Sequence, residues 1–190
     1  MPAHEILSKW ESFYVIVGSS AGALTGLQFV VMAIVADRPG SGGQQEIAAF
    51  GTPNVVHFMA VLLIGAIISA PWEDLGHTAI VIGLFGLTGV IYTAVVTKRA
   101  SSTRRYQPVA EDWIFHVILP FASYLLLLGA ALTITVVDTA ALFTVATASL
   151  LLLVVGVHNA WDTVTYLALD VAADRSSASA PDAPPGTTPT

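Results

Sequence analysis

Three histidines are the residues of this chain best suited to chemistry. His57, His116 and His158 each lie in or beside an apolar stretch of the sequence. An imidazole there can exchange a proton near neutral pH or bind a metal ion through a ring nitrogen. Asp112 precedes His116 by four residues and Asp162 follows His158 by four, so each pair shares one helix face. A carboxylate so placed orients the imidazole and leaves its other nitrogen available.

Three amide side chains and one proline accompany these histidines. Asn54 and Asn159 lie within three residues of a histidine, and Gln28 lies in the second half of the first long apolar run. We expect the amides to support the histidines, with Gln28 making a hydrogen bond between helices. Pro120 cannot donate the backbone hydrogen bond that would end on the carbonyl of His116, which predicts a kink and a spare acceptor there.

The same side chains fit several kinds of site. Three histidines with one or two carboxylates could bind Zn, Fe or Mn. Two of the histidines on facing helices could instead ligate a b-type haem. Without a cofactor, the groups could relay protons or line a cation pathway. The plainest alternative is that they are helix-end residues that meet water at the membrane interface.

The composition is that of an integral membrane protein. Hydrophobic residues make up 55% of the 190 residues and charged residues 11%, and the mean hydropathy is +0.75. A net charge of -6 and the lack of a basic face argue against nucleic-acid binding. The chain has no cysteine, which excludes disulfides, thiolate metal ligands and cysteine nucleophiles. Because membrane spans consume most of the chain, we predict a protein that is not an enzyme.

Five apolar segments predict an all-α bundle of five transmembrane helices within residues 13–172. Their approximate limits are 13–36, 54–71, 78–97, 113–137 and 139–161. The first would form about 36 Å of helix, enough to cross a hydrocarbon core of about 30 Å. The second is short, which leaves a re-entrant segment as the alternative. Residues 1–12 predict an interfacial segment, and the Pro- and Ser-rich residues 173–190 predict a disordered cytoplasmic tail.

The positive charges predict the orientation in the membrane. Lys9 is the single Lys or Arg on the side of the N-terminus and of the loops after spans two and four. The other side holds Arg38, Lys98, Arg99, Arg104, Arg105 and Arg175. The positive-inside rule therefore puts the N-terminus outside and the C-terminus in the cytoplasm, with the polar residues near the inner leaflet. Plasma-membrane location follows, and the Arg-rich, Lys-poor usage is typical of a bacterial protein.

Two spans carry stripes of glycine that predict close helix packing. The stripes are Gly18, Gly22 and Gly26 in the first span and Gly83, Gly86 and Gly89 in the third. Small residues let helix backbones approach each other in lipid, where van der Waals contact replaces the hydrophobic effect. We expect one stripe to pack inside the chain and the other to mediate a homo-oligomer.

Together these features predict a small polytopic membrane protein with a His/Asp cluster near the inner leaflet. The cluster would serve as a proton or cation pathway, or as a polar packing centre of an assembly. The alternative is a metal- or haem-binding membrane protein that uses His57, His116 and His158 as ligands. A complete pore through one chain is disfavoured, because the outer halves of the five spans offer only Ser, Thr and Gly as polar groups.

Overall fold

All regular secondary structure is helical in the part of the chain that the protein's structure, a computed structural model, describes, namely residues 2–36, 52–101 and 110–178. The helices are α1 Ala3–Ser8, α2 Glu11–Ala36, α3 Thr52–Ser69, α4 Leu75–Ser101, α5 Ala110–Trp113, α6 Leu119–Thr133 and α7 Asp138–Ala178. A π-helical segment, Ile114–Ile118, joins α5 to α6. The predicted helical fold class is therefore confirmed.

Four helices are long and apolar enough to cross a membrane, which fits a multi-pass membrane protein. They cover Glu11–Ile34, Leu75–Lys98, Ile114–Thr133 and Asp138–Thr165, with hydropathies of 1.7, 2.2, 2.0 and 2.4. The stretch Asn54–Ser69 of α3 is equally apolar in character but shorter. The count of five spans is thus not shown, and α3 is the helix on which it depends.

Two predicted boundaries differ from the helices observed. The fourth apolar segment was expected to reach residue 137, but α6 ends at Thr133, and turns lead from there into α7. Helix α7 begins at Asp138 and continues to Ala178, so residues 173–178 of the predicted tail are helical. No glycine or proline occurs between Gly156 and Pro181, so the chain contains nothing that would break this helix earlier. Residues 179–190 lie outside the described residues.

The long helices pack in the order α2, α3, α7, α6, α4, so that α3 lies between α2 and α7. Contacts along α3 fix its direction. Gly65 approaches Gly18, Leu62 approaches Gly22, and the Phe58 ring lies over Gly156. Helix α3 is therefore antiparallel to α2. Trp10, just before α2, meets Phe143 of α7, so α7 runs parallel to α2 and antiparallel to α3. Helix α3 packs against α2 on one side and α7 on the other.

Both glycine stripes make contacts within the chain. A Cβ at Gly86 would lie 2.9 Å from the backbone N of Leu128, and one at Gly89 would overlap the Tyr124 ring. The stripe on α4 is thus the surface on which α6 packs. In the other stripe, Gly18 and Gly22 face α3, whereas a Cβ at Gly26 would meet open space. Self-association through a stripe stays a prediction.

The two ends of the bundle differ in what they bury. We call the half that contains Tyr14, Ile64 and Leu142 the apolar end, and the half that contains Asn54 and Asn159 the polar end. The three side chains of the apolar end are at most 2% exposed and belong to one continuous hydrophobic core. The two asparagines are equally buried, at 1% and 2% exposure. A comparable depth of burial therefore encloses hydrocarbon at one end and amide groups at the other. The predicted interfacial segment 1–12 includes α1, whose Leu7 packs into the core at the apolar end.

Candidate functional site at the polar end

Asn54 on α3 and Asn159 on α7 lie at the same level on facing helices. The contact between Phe58 and Gly156 sets this register, because each asparagine lies about one helical turn farther toward the polar end. All four side-chain N and O atoms of the two residues are buried and lack a hydrogen-bond partner. A buried amide without partners costs about 1–3 kcal/mol relative to a satisfied one. An arrangement this costly needs an explanation beyond packing.

Gln28 brings α2 into the same layer. Its side chain is 6% exposed, and its Nε2 is buried without a partner. Gln28 also lines a groove of about 390 Å³ with Phe58, Val157 and Trp161, which places it beside the asparagine level of α3 and α7. The sequence predicts that Gln28 makes a hydrogen bond to another helix. Among the described residues, its Nε2 has no acceptor within hydrogen-bonding distance.

His57 lies one turn deeper in the bundle than Asn54. It is 2% exposed, and its Nδ1 lies 3.2 Å from the hydroxyl of Tyr124, which is also buried. The two rings are 6.0 Å apart at an interplanar angle of 43°. Either group can donate in this hydrogen bond, depending on the tautomer of the imidazole. The bond joins α3 to α6 across the middle of the bundle.

The backbone positions Tyr124 for this bond. The ring lies directly over Gly89 of α4, where any side chain larger than hydrogen would overlap it. Sequence reasoning missed Tyr124, although a phenol in the middle of an apolar span is a signal, since a buried hydroxyl needs a partner. It also missed Gly65 and Gly156, the isolated glycines that let α2 and α7 approach α3.

His116 lies in the π-helical segment and turns toward the same interior. Its Nδ1 is buried without a partner, and it lies within electrostatic range of His57. The π-helical turn directly precedes Pro120, and the Leu119 N–H bonds to the Ile114 carbonyl five residues back. This local widening is one way in which a helix accommodates a proline. The predicted kink itself stays a prediction, and the side chain of Asp112 lies outside the described residues.

His158 takes a different environment from the other two histidines. Its ring stacks on Phe115 with centroids 3.5 Å apart. Its Nε2 lies 3.2 Å from Asp162 Oδ2 and 3.6 Å from Glu111 Oε1, and its side chain is 23% exposed. The spacing of four residues predicted Asp162 as its partner, whereas Glu111, from another helix, was not foreseen. His158 thus lies where the polar end meets the surface.

His57 is therefore the most buried of the three histidines, whereas His116 and His158 are partly buried and His158 borders the surface. Among the described side chains, no group of three or more His, Asp or Glu residues is placed to hold a metal ion. The metal and haem alternatives consequently gain no support from the arrangement, and they stay predictions. Among the described side chains, the three histidines do not share a centre: His57 bonds to Tyr124, and His158 pairs with Asp162 and Glu111.

The partnerless atoms define the chemistry that the polar end can perform. Among the described side chains they comprise three amide nitrogens, two amide oxygens and one imidazole nitrogen at this end; only the Tyr14 hydroxyl lies elsewhere. Tyr14 lies near Ser149, whose hydroxyl donates instead to the Val145 carbonyl at 2.9 Å. Donors and acceptors without formal charge suit water, which offers both, and buried water typically makes about three hydrogen bonds.

No protein-family model, curated protein or solved structure matches this chain. A functional argument must therefore come from the chemistry of the site itself. That chemistry comprises buried amides and imidazoles and, at the surface, a histidine paired with two carboxylates.

Proposed function

We propose that this protein is a multi-pass membrane protein with five spans, its N-terminus outside and its C-terminus in the cytoplasm. Two features support the fifth span. Helix α3 has 18 residues, which form about 27 Å of helix. It also runs beside α2 from the level of Tyr14 to the level of Gln28, rather than turning back. The distribution of Lys and Arg then favours this orientation and a plasma-membrane location.

Single-cysteine variants test the topology cleanly, because the chain has no cysteine of its own. Cysteines at Glu5, Glu73 and Arg99 would be treated with a membrane-impermeant maleimide in intact cells. We expect labelling at Glu5 and Glu73 and protection at Arg99 until the membrane is permeabilised. Protection at Glu73 together with labelling at Arg99 would instead mean that α3 re-enters, and the five-span topology would be wrong.

We propose that the polar end is a proton-accepting site that is reached from the cytoplasm and ends at the His57–Tyr124 pair. The observation that carries the proposal is the layer of buried, partnerless polar atoms on α2, α3, α7 and the π-helical segment. Water held by these atoms would connect the surface with His57. Intramembrane polar groups are costly, so a set that converges from four elements favours a function over chance.

The chemistry favours protons over other cations. A hard cation such as Mg²⁺ or Ca²⁺ in a low-dielectric interior needs several oxygen ligands and preferably an anionic one. The partnerless set contains only two oxygens, and the carboxylates described near it are exposed. Imidazole and phenol groups joined by water can instead pass protons without binding a desolvated ion. The site therefore suits a proton relay better than a cation pathway.

Along α6, the path does not continue beyond Tyr124. The next buried residues toward the apolar end are Leu127 and Ala130, followed by Ile134 just after the helix ends. No relay group among them could pass a proton onward. We therefore propose that the polar end delivers a proton to the middle of the membrane and catalyses no reaction on a substrate. Any further transfer of the proton would need a partner protein in an assembly.

Proton exchange at His57 tests this function. The protein would be labelled with ¹⁵N-histidine in lipid nanodiscs, its five histidines assigned by single substitutions, and exchange of ring N–H protons with water measured. We expect rapid exchange at His57 despite its burial. Replacing Asn54 and Asn159 together by leucine should slow it about tenfold or more, because the leucines exclude the bridging water.

The matched control replaces two buried polar residues that satisfy themselves. Thr25 and Ser149 donate to carbonyls four residues back, at 2.8 and 2.9 Å. The Thr25→Val and Ser149→Ala double variant should leave exchange at His57 unchanged. A His57 ring that is fully protected in the wild-type protein would overturn the proposal, as would exchange that is indifferent to the leucine variant.

A further inference from the structure

His158, which borders the surface, has the features of a site that collects protons. His158 lies between two carboxylates that come from two different helices, Asp162 on its own helix and Glu111 on α5. The carboxylates are exposed, at 67% for Glu111 and 54% for Asp162, whereas His158 is only 23% exposed. The acidic groups thus lie at the surface of the bundle, and the imidazole beside them is mostly covered. Among the described side chains, these two carboxylates are the charged groups paired with His158.

The ring of His158 is held in place by its other neighbour. Phe115 stacks on it nearly parallel, at an interplanar angle of 18°. Phe115 directly precedes His116 in the π-helical segment, and Asn159 directly follows His158 on α7. His116 and Asn159 both have buried polar atoms without a hydrogen-bond partner. The stacking of Phe115 on His158 therefore joins the two segments that also carry His116 and Asn159.

We propose that His158, Glu111 and Asp162 form the proton-uptake site of this protein, an inference that rests on the proposed function of the polar end. Uptake places a proton from water on one ring nitrogen of His158, and the carboxylates stabilise the resulting positive charge. The neutral ring is restored when the other nitrogen releases a proton toward the buried layer at Asn159 and His116. The net result moves one proton inward and leaves His158 neutral but in its other tautomer, from which proton exchange with water restores the starting form.

The test removes the negative charges and leaves the shape of the site intact. The double variant Glu111→Gln, Asp162→Asn would be compared with wild type in the ¹⁵N-histidine exchange measurement in lipid nanodiscs. We expect exchange at His57 to slow about tenfold at neutral pH, since general acid–base groups contribute factors of this order or larger. The chemical shifts of the His57–Tyr124 pair should not change. Exposed ion pairs contribute little to stability, so this variant folds.

A charge-matched control removes two carboxylates elsewhere. Glu11 and Glu73 are exposed and lie at the apolar end, so Glu11→Gln, Glu73→Gln should leave exchange at His57 unaltered. A second variant, Phe115→Leu, keeps both carboxylates but frees the ring of His158, and it should slow exchange at His57 by a smaller factor.

The outcomes separate the two proposals. Rapid exchange at His57 that is blocked by the Asn54 and Asn159 leucine variant, but is indifferent to the loss of Glu111 and Asp162, would keep the relay and overturn the uptake site. Equal slowing in the charge-matched control would overturn it as well, because the effect would then be one of overall charge. Protection of His57 in the wild-type protein would remove the relay itself.

Discussion

The apolar and polar ends of this bundle use the same helices to bury different chemistry. At the apolar end, Tyr14, Ile64 and Leu142 pack within one core, and Trp10 meets Phe143 edge to face with centroids 4.7 Å apart. At the polar end, equally buried positions hold six polar atoms that find no partner among the described residues, whereas the apolar end holds one, the Tyr14 hydroxyl. Apolar packing therefore dominates the first end, and the second has many more hydrogen-bonding groups that water could satisfy.

The difference shows how apolar packing and buried polar groups are divided along one helical bundle. In lipid, helices associate through close contact, and the glycine positions at Gly18, Gly65 and Gly86 provide it. Apolar side chains of similar volume would also fill the polar end, so its amides are not required for packing. The four predictions below change one end and ask whether the other responds.

The largest effect is expected from Gly89→Ala. The new methyl group would overlap the Tyr124 ring, so either α4 must separate from α6 or the phenol must leave His57. Overpacking of this kind costs about 2–3 kcal/mol, measured as unfolding free energy in mixed detergent micelles. The ¹⁵N shift of His57 should change in the same sample. Gly26→Ala is the control, because its methyl group enters open space; equal losses in both variants would contradict the close contact at Gly89.

An exchange of residue types between the ends should give effects of opposite sign. Leu142→Asn places an unpartnered amide in the apolar core and should cost about 2 kcal/mol. Asn54→Leu removes partnerless atoms from a buried position and should leave the unfolding free energy unchanged or raise it by about 1 kcal/mol. Leu142 and Asn54 are both fully buried, so a difference between the two variants does not come from a difference in burial. A comparable loss in Asn54→Leu would mean that the amide is structural.

Tyr124→Phe removes the one hydrogen bond that the structure gives to His57 among described side chains. We expect a loss of about 1 kcal/mol, the usual net contribution of a neutral hydrogen bond. The ring packing on Gly89 is retained, so α4 and α6 should stay in contact. An amide-exchange pattern that is unchanged in α4 but altered around His57 would match this expectation, and general unfolding of α4 would contradict it.

The smallest effect concerns the loop between α3 and α4, at the apolar end. A hydrogen bond of 2.6 Å from the Gly76 N–H lowers the pKa of Asp74 below its usual value, with a further bond from His77 N–H. The pKa of Asp74 is lower in the folded protein than in the unfolded chain. The ionised carboxylate therefore stabilises the folded loop fully above the ordinary Asp pKa of about 4. This stabilisation is lost as the pH falls through the folded value. Amide exchange at Gly76 and His77 should therefore accelerate in acid.

The Asp74→Ala variant should show this acceleration already at neutral pH, and Glu73→Gln should not. The polar end should be indifferent to both substitutions. A response of His57 to Asp74→Ala would show that the two ends are coupled through α4, which the packing does not suggest.

The amino-acid sequence determined the class of fold and the places where polar groups would gather. Long uncharged runs can satisfy their backbone in lipid only as helices, so the helical class followed from composition and spacing. The sequence also predicts that His57, Asn54 and Asn159 lie near the inner leaflet, since each position along a span sets a depth, and this stays a prediction. The contact of His158 with Asp162 could be anticipated from the period of the helix.

Other features depended on rotation of the helices about their axes, which no local pattern encodes. Tyr124 meets His57 only because Gly89 lets α6 approach α4, and Glu111 meets His158 only because Phe115 packs against α7. The separate environments of the three histidines, rather than one shared centre, depended on the same contacts. The sequence thus determined which groups lie at each depth, and only the tertiary structure decided which of them face each other, because side-chain packing between helices sets their rotation and register.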